Sequence, residues 1–171
     1  MRKVILGVAI SLDGFIEGPN GEYDWCFTDQ DYGMTEFLES IDAIVMGRKS
    51  YEMMKSFEGP VPWKDKKTFV FSKTLSAVSS DAEILSGDLF ETVVALKAQP
   101  GKSIWLFGGA SLTASFMNAG LIDEYWLALH PIVLGKGKPL FENIESRKKL
   151  LLIDHEVYNT GLISLRYQTV H

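Results

Sequence analysis

The chain has little cysteine, no excess of basic charge and no long apolar run. Cys26 is the only cysteine among 171 residues. A single thiol excludes an internal disulfide and any C-x-x-C metal site. Such cysteine use suits a reducing cytoplasm, which is the expected location. Lys and Arg number 17 against 22 Asp and Glu, a net charge of −5. That balance argues against nucleic-acid binding through a broad basic surface and leaves room only for a local basic pocket. No stretch approaches the roughly 18 apolar residues of a membrane span. Arg2 and Lys3 precede the apolar residues 4–10, a faint likeness to a signal peptide. The run is short and ends in Ser11-Leu12-Asp13-Gly14 with no small-residue cleavage pattern, so a buried strand is the better reading. His130, His155 and His171 are scattered without ligand spacing. The acidic residues Glu17, Glu22, Asp24, Asp29 and Asp31 lack the spacing of a calcium loop, and no metal is expected.

What is present is an ordinary globular composition, 46% hydrophobic and 12% aromatic. A chain of this length buries roughly 70% of its unfolded surface and needs no covalent staple. At ~100–200 residues per domain, residues 1–171 are expected to form one domain.

Strand and helix patterns alternate. Residues 4–10 read as a strand buried on both faces. Residues 11–32, rich in Gly, Asp, Asn and Pro, read as a long functional loop. The pattern then predicts a helix at 34–41, a strand at 43–46 and a short helix at 50–54 ended by Glu58-Gly59-Pro60. Strands follow at 68–71 and 82–85, a helix at 89–98, and a strand at 103–107. A helix at 111–119 closed by Gly120 comes next, then a strand at 124–129. Residues 149–158 and 162–170 pattern as a hairpin turning at Asn159-Thr160-Gly161. Strands separated by helices imply parallel pairing, with an antiparallel edge from the hairpin. The fold class is α/β, a mixed sheet with helices on its faces.

In such sheets ligands bind beyond the carboxyl ends of the strands. Gly47-Arg48-Lys49-Ser50 follows the second strand, Ser72-Lys73-Thr74 the third and Gly108-Gly109-Ala110-Ser111 the fifth. Glycine permits close backbone approach, and a helix N-terminus offers free N–H groups. Arg48, Lys49 and Lys73 supply charge for an extra phosphate. Taken singly, Gly108-Gly109 also reads as a tight turn, and Arg48-Lys49 as solvated charge. Together they point to a phosphorylated nucleotide, although no G-x-G-x-x-G is present. Asp13 reads as a turn residue before Gly14, with a catalytic role as the alternative. Trp25 and Phe27 either line a planar ligand's pocket or pin the loop, and Cys26 beside them reads as a buried filler.

Three segments in order, Ile44-Val-Met-Gly-Arg-Lys-Ser-Tyr51, Phe69-Val-Phe-Ser-Lys-Thr74 and Leu106-Phe-Gly-Gly-Ala-Ser111, resemble the cofactor-binding succession of dihydrofolate reductases. Ser11-Leu-Asp-Gly-Phe-Ile16 and Pro131-Ile-Val-Leu-Gly-Lys-Gly-Lys-Pro-Leu-Phe141 resemble the reductase domain of the bifunctional riboflavin-biosynthesis deaminase–reductase, in stand-alone form. The resemblance runs over essentially the whole chain. It implies a dihydrofolate reductase-like three-layer fold, with a mostly parallel sheet, helices on both faces and a C-terminal antiparallel hairpin. The implied activity is NADPH-dependent hydride transfer to a small heterocyclic or sugar-carbonyl substrate, as in 5-amino-6-(5-phosphoribosylamino)uracil reductase. The alternatives are a non-catalytic nucleotide-binding module and a dihydrofolate reductase-like enzyme acting on a pteridine.

By the same resemblance, Gly47, Arg48, Lys49 and Ser50 meet the ribose phosphate and pyrophosphate of NADPH. Ser72, Lys73 and Thr74 border its adenosine, and Gly108, Gly109, Ala110, Ser111 and Leu112 cradle the pyrophosphate. Ala9 and Ile16 flank the nicotinamide. Asp13, Trp25, Gly135, Lys136 and Gly137 lie toward the substrate. The zinc deaminase elements His-x-Glu and Pro-Cys-x-x-Cys are absent from the chain. Dihydrofolate reductases carry a carboxylate on the first helix. Here Asp31 and Glu36 stand nearest, and Asp31 is the catalytic candidate. A homodimer is expected, with the apolar residues 149–153 offering an edge.

Overall fold

The computed structural model describes every residue except Glu58, Pro60 and His171. In chain order the elements are β1 (Val4–Ser11), β2 (Phe15–Glu17), α1 (Met34–Ser40), β3 (Ile41–Gly47), α2 (Arg48–Lys55), β4 (Lys67–Phe71) and β5 (Ala82–Leu85). Then come α3 (Leu89–Ala98), β6 (Ser103–Gly108), α4 (Ala110–Asn118), β7 (Glu124–His130), β8 (Lys138–Pro139), β9 (Leu150–Val157) and β10 (Ile163–Thr169).

The main sheet has eight strands in the order β5-β4-β3-β6-β1-β7-β10-β9. From β5 to β7 every pairing is parallel, and β10 joins antiparallel to both β7 and β9. The apolar run of β1 alternates between the faces. Val4 and Leu6 join a core with Val93 and Leu96 of α3 and Phe116 and Met117 of α4. Ile5 joins a second core with Phe37 of α1, Tyr51 of α2 and Trp105 of β6. Two helices on each face of one sheet give the three-layer arrangement implied by the resemblance. Burying one such Leu or Phe contributes roughly 1.5–3 kcal/mol, so both cores are substantial.

Local chemistry explains the helix ends. Asp88 caps α3 by accepting from the Glu91 amide at 2.9 Å. Gly120, at φ 67°, ends α4 in a left-handed turn. Its amide reaches Met117 O at 3.1 Å, and the Leu121 amide reaches Phe116 O at 2.9 Å. Helix α2 begins at Arg48, two residues before the expected start, because it follows Gly47 directly. Of the stop predicted there, Glu58 and Pro60 lie outside the described residues.

One correction concerns residues 11–32 and the stretch before β9. The first was expected to be a long loop and no element was expected in the second, yet β2 and β8 pair there as a separate antiparallel ribbon. Strands of three and two residues carry no readable alternation. Their pairing depends on Gly137, where a Cβ would lie 2.1 Å from the Glu17 carbonyl oxygen.

Candidate active site

Two parallel strands end in glycine and pass straight into helices. Gly47 precedes α2 and Gly109 precedes α4, and neither helix start is capped by a side chain. Met46 is in register with Gly108, which brings the two turns side by side. A Cβ on Gly47 would lie 4.0 Å from both the Gly108 carbonyl oxygen and Leu112 Cβ. A Cβ on Gly109, at φ 57°, would lie 3.5 Å from Ser50 Oγ. Gly47, Ser50, Gly108, Gly109 and Leu112, all proposed from sequence, are therefore neighbours around two uncapped helix N-termini. Free N–H groups and two positive dipole ends converge there, which suits an anion.

A residue the sequence reading missed belongs to this cradle. Thr113 is only 1% exposed, and its Oγ1 has no hydrogen-bond partner among the described residues. It is the heavy atom nearest a Cβ built on Gly108, at 3.9 Å. A buried hydroxyl without a partner is costly, by about 1–3 kcal/mol, unless something arrives to bond it. Its position just inside the helix after Gly108-Gly109 was the available signal.

The basic residues lie on the rim. Lys49 and Lys73 are exposed. Arg48 makes a loose 3.4 Å pair with Glu52, both side chains about half exposed. Such a pair is worth at most about 1 kcal/mol and leaves the guanidinium available. Ser72 Oγ accepts from the amides of Thr74 at 3.2 Å and Leu75 at 3.0 Å, fixing the turn after β4.

A second cluster forms at the ends of β1 and β7. Ser11 and His130 are in register there, and both are buried. Ser11 Oγ donates to Asp13 Oδ1 at 2.7 Å. Asp13 also accepts from the amides of Leu134 at 3.1 Å and Gly135 at 2.7 Å. Desolvation pushes the Asp13 carboxyl up, but the bonds from Ser11, Gly135 and Leu134 outweigh it and hold its pKa below the ordinary value. Asp13 therefore ties the first loop to the 131–137 loop, beyond its place in the turn at Gly14. Trp25 stands edge-on to His130 with ring centroids 5.2 Å apart, and its buried Nε1 has no partner among the described residues. Ala9 lies on β1 opposite Ala128, while Ile16 of β2 packs on the core between sheet, α3 and α4. Lys136 sits between the anchored Gly135 and the tightly approaching Gly137.

Asp31 lies just ahead of α1. Its carboxylate accepts from the Thr35 amide at 3.1 Å and from Thr35 Oγ1 at 2.5 Å, which secures the start of α1. Glu36 is an exposed residue in the first turn of that helix. Cys26 is half-buried, and burial together with nearby Asp24 pushes its thiol up to about 11, so it is no nucleophile. A cavity of about 440 Å³ lined by Arg147, Lys148, Lys149, Thr169 and Val170 lies at the other end of the strands, beside the start of β9. It shares no residue with either cluster. Among the described residues, no helix is long and apolar enough to cross a membrane.

The family profile described as the RibD C-terminal domain matches residues 2–164. The chain belongs to that family. It is 44% identical to the uncharacterized protein YyaP of Bacillus subtilis strain 168, over 97% of this chain and 94% of that one. A putative riboflavin biosynthesis protein from Shewanella sp. PV-4 shares the structure with a TM-score of 0.89 at 30% identity, covering 100% of both chains. Dihydrofolate reductase from Enterococcus faecalis, solved with NADP(H) and RAB-propyl, aligns at TM-score 0.72 and 16% identity over 99% of this chain and 97% of that one. The chain thus has a dihydrofolate reductase-like fold, and its family agrees with the resemblance read from residues 11–16 and 131–141.

Proposed function

We propose that the chain is an NADPH-dependent reductase acting on a small heterocyclic or sugar-carbonyl substrate, in the manner of the uracil reductase step of riboflavin biosynthesis. The observation that carries this reading is the pair of glycine-led, uncapped helix starts at Gly47 and Gly109, with the unpartnered Thr113 hydroxyl beneath them. These residues fit a dinucleotide. The amides of α2 and α4 bind its pyrophosphate, with Ser50, Ala110, Ser111 and Leu112 around it. Arg48, Lys49 and Lys73 select the 2′-phosphate, and Ser72 and Thr74 border the adenosine. Ala9 and Ile16 flank the nicotinamide. Bound NADPH supplies the hydride. Asp13, Trp25 and the 135–137 segment shape the substrate side and exclude water. A second copy of the chain covers β9, whose Leu151, Leu152 and Ile153 are 58%, 46% and 43% exposed.

Titration with NADPH and NADH tests the reading. Arg48→Ala is expected to weaken NADPH about tenfold to a hundredfold while NADH barely changes, since a charge-assisted phosphate contact is worth about 1.5–3 kcal/mol. Equal weakening of both would remove Arg48 from the 2′-phosphate. Failure of the wild-type chain to bind either nucleotide would end the proposal. NADPH oxidation across pteridines, pyrimidines and flavin-pathway compounds then separates an enzyme from a binding module.

A further inference from the structure

His130 lies at the end of β7, 3% exposed, with both ring nitrogens engaged. Nδ1 is 2.9 Å from Ala128 O, a carbonyl that can only accept, so Nδ1 carries the proton. Nε2 accepts from the Phe27 backbone N–H at 3.1 Å, so Nε2 must be bare. Trp25 and Phe27 pack on the ring at 5.2 and 5.0 Å between centroids. Among the described residues, the Phe27–His130 bond is the one hydrogen bond that ties residues 23–28 to the sheet. The only other bond in the segment is internal, from the Cys26 amide to Tyr23 O at 3.0 Å.

We propose that His130 is a positioning residue that latches the Trp25–Phe27 segment over the ends of β1 and β7, and that protonation of its Nε2 releases the segment. An imidazolium presents N–H to the Phe27 N–H, and two donors cannot bond. The protonated ring must therefore abandon the loop. What the segment covers rests on the reductase reading; the latch itself rests on the bonds just described.

The surroundings set the sign. Burial lowers the affinity of His130 for a proton, and the Ala128 carbonyl opposes this only in part. Titratable groups on the elements packed against the ring are Asp13 beyond β1, and Tyr23, Asp24, Cys26, Asp29, Asp31 and Tyr32 in the loop. Asp13 is held by Ser11 and the 134–135 amides, Cys26 stays neutral, and Tyr32 bonds Asp29 at 2.7 Å. None of them hydrogen-bonds the imidazole. With its pKa lowered in the latched state and near the ordinary ~6.5 when released, the latch is intact above about 6.5. It weakens as pH falls below that, by up to about tenfold in the closed-to-open ratio per pH unit.

The experiment uses the ligand-free, 15N-labelled full chain, following imidazole and backbone amide resonances from pH 8 to pH 5. Expected are an Nδ1–H tautomer for His130 at pH 8 and a Phe27 amide that shifts with the same midpoint as His130. His130→Gln keeps an acceptor that cannot be protonated, so its Phe27 amide holds the closed position throughout. His130→Leu gives the open position already at pH 8. A Phe27 amide that stays fixed while His130 titrates would overturn the proposal, as would an identical shift in His130→Gln. So would a His130 that stays neutral until the whole chain unfolds. Because no nucleotide is present, a failed reductase reading leaves this outcome untouched.

Discussion

The two halves of the site are built differently. The cradle at β3 and β6 consists of strand-to-helix turns, each set within a few residues of chain. Its geometry follows from Gly47 and Gly109 and from the register of two adjacent parallel strands. The cluster at β1 and β7 consists of long loops held by contacts between distant residues. Asp13 reaches Gly135 and Phe27 reaches His130, more than a hundred positions away in each case. Local construction fixes the cradle through short-range geometry, whereas the other cluster depends on contacts between distant residues that a loop motion would break.

The largest test of this contrast is steric. Gly47 has an ordinary extended backbone, φ −83° and ψ 166°, so Gly47→Val adds no backbone strain. It should cost NADPH at least about a hundredfold in affinity, or about 2.7 kcal/mol, and move the melting temperature by only a few degrees. Gly109→Val, at φ 57°, should lose binding as well and also melt several degrees lower, because the strain there is about 1–3 kcal/mol. Calorimetry with nucleotide titration reads both quantities. A Gly47→Val chain that still binds would move the phosphate site elsewhere.

The loop half responds to Asp13. Asp13→Asn should speed exchange of the Leu134 and Gly135 amides and raise the substrate KM severalfold, leaving NADPH affinity within about twofold. The Asp13 pKa is lowered in the fold, so its contribution is present above the ordinary carboxylate value and is lost as pH falls through the folded one. Activity between pH 5 and 8 is thus expected to be insensitive to Asp13. A parallel loss of NADPH affinity would show that the halves are not separable.

The smallest effect is also the most discriminating. Thr113→Val removes a buried hydroxyl that has no partner among the described residues. The free chain should melt about 2–4 °C higher, corresponding to about 1 kcal/mol, while NADPH affinity falls roughly twofold to tenfold. Unchanged affinity would mean that the hydroxyl does not face the ligand.

The same division governs what could be read from sequence. The strand at 82–85 and the helix at 89–98 were legible to the residue from their apolar spacing, which sets Val93 and Leu96 inward. The members of the cradle were legible because glycine next to a helix start is a local signal. The β2–β8 ribbon was not, since its pairing depends on Gly137 meeting Glu17 across the fold. Neither was the role of His130, which looks like a scattered histidine until Phe27 is folded onto it. Asp31, the catalytic candidate, accepts from Thr35 four residues on, a short-range partner equally present in the sequence.

The sheet ends at β9 with an unpaired row of backbone donors and acceptors, flanked by exposed Leu151, Leu152, Ile153 and Val157. A chain with such an edge does not have a single intrinsic stability. If copies pair there, every gain in concentration favours the folded form by mass action, and dilution draws it apart. Left unpaired, the same strand is a template for other extended segments, and a weakened chain is then expected to turn turbid ahead of any loss of activity.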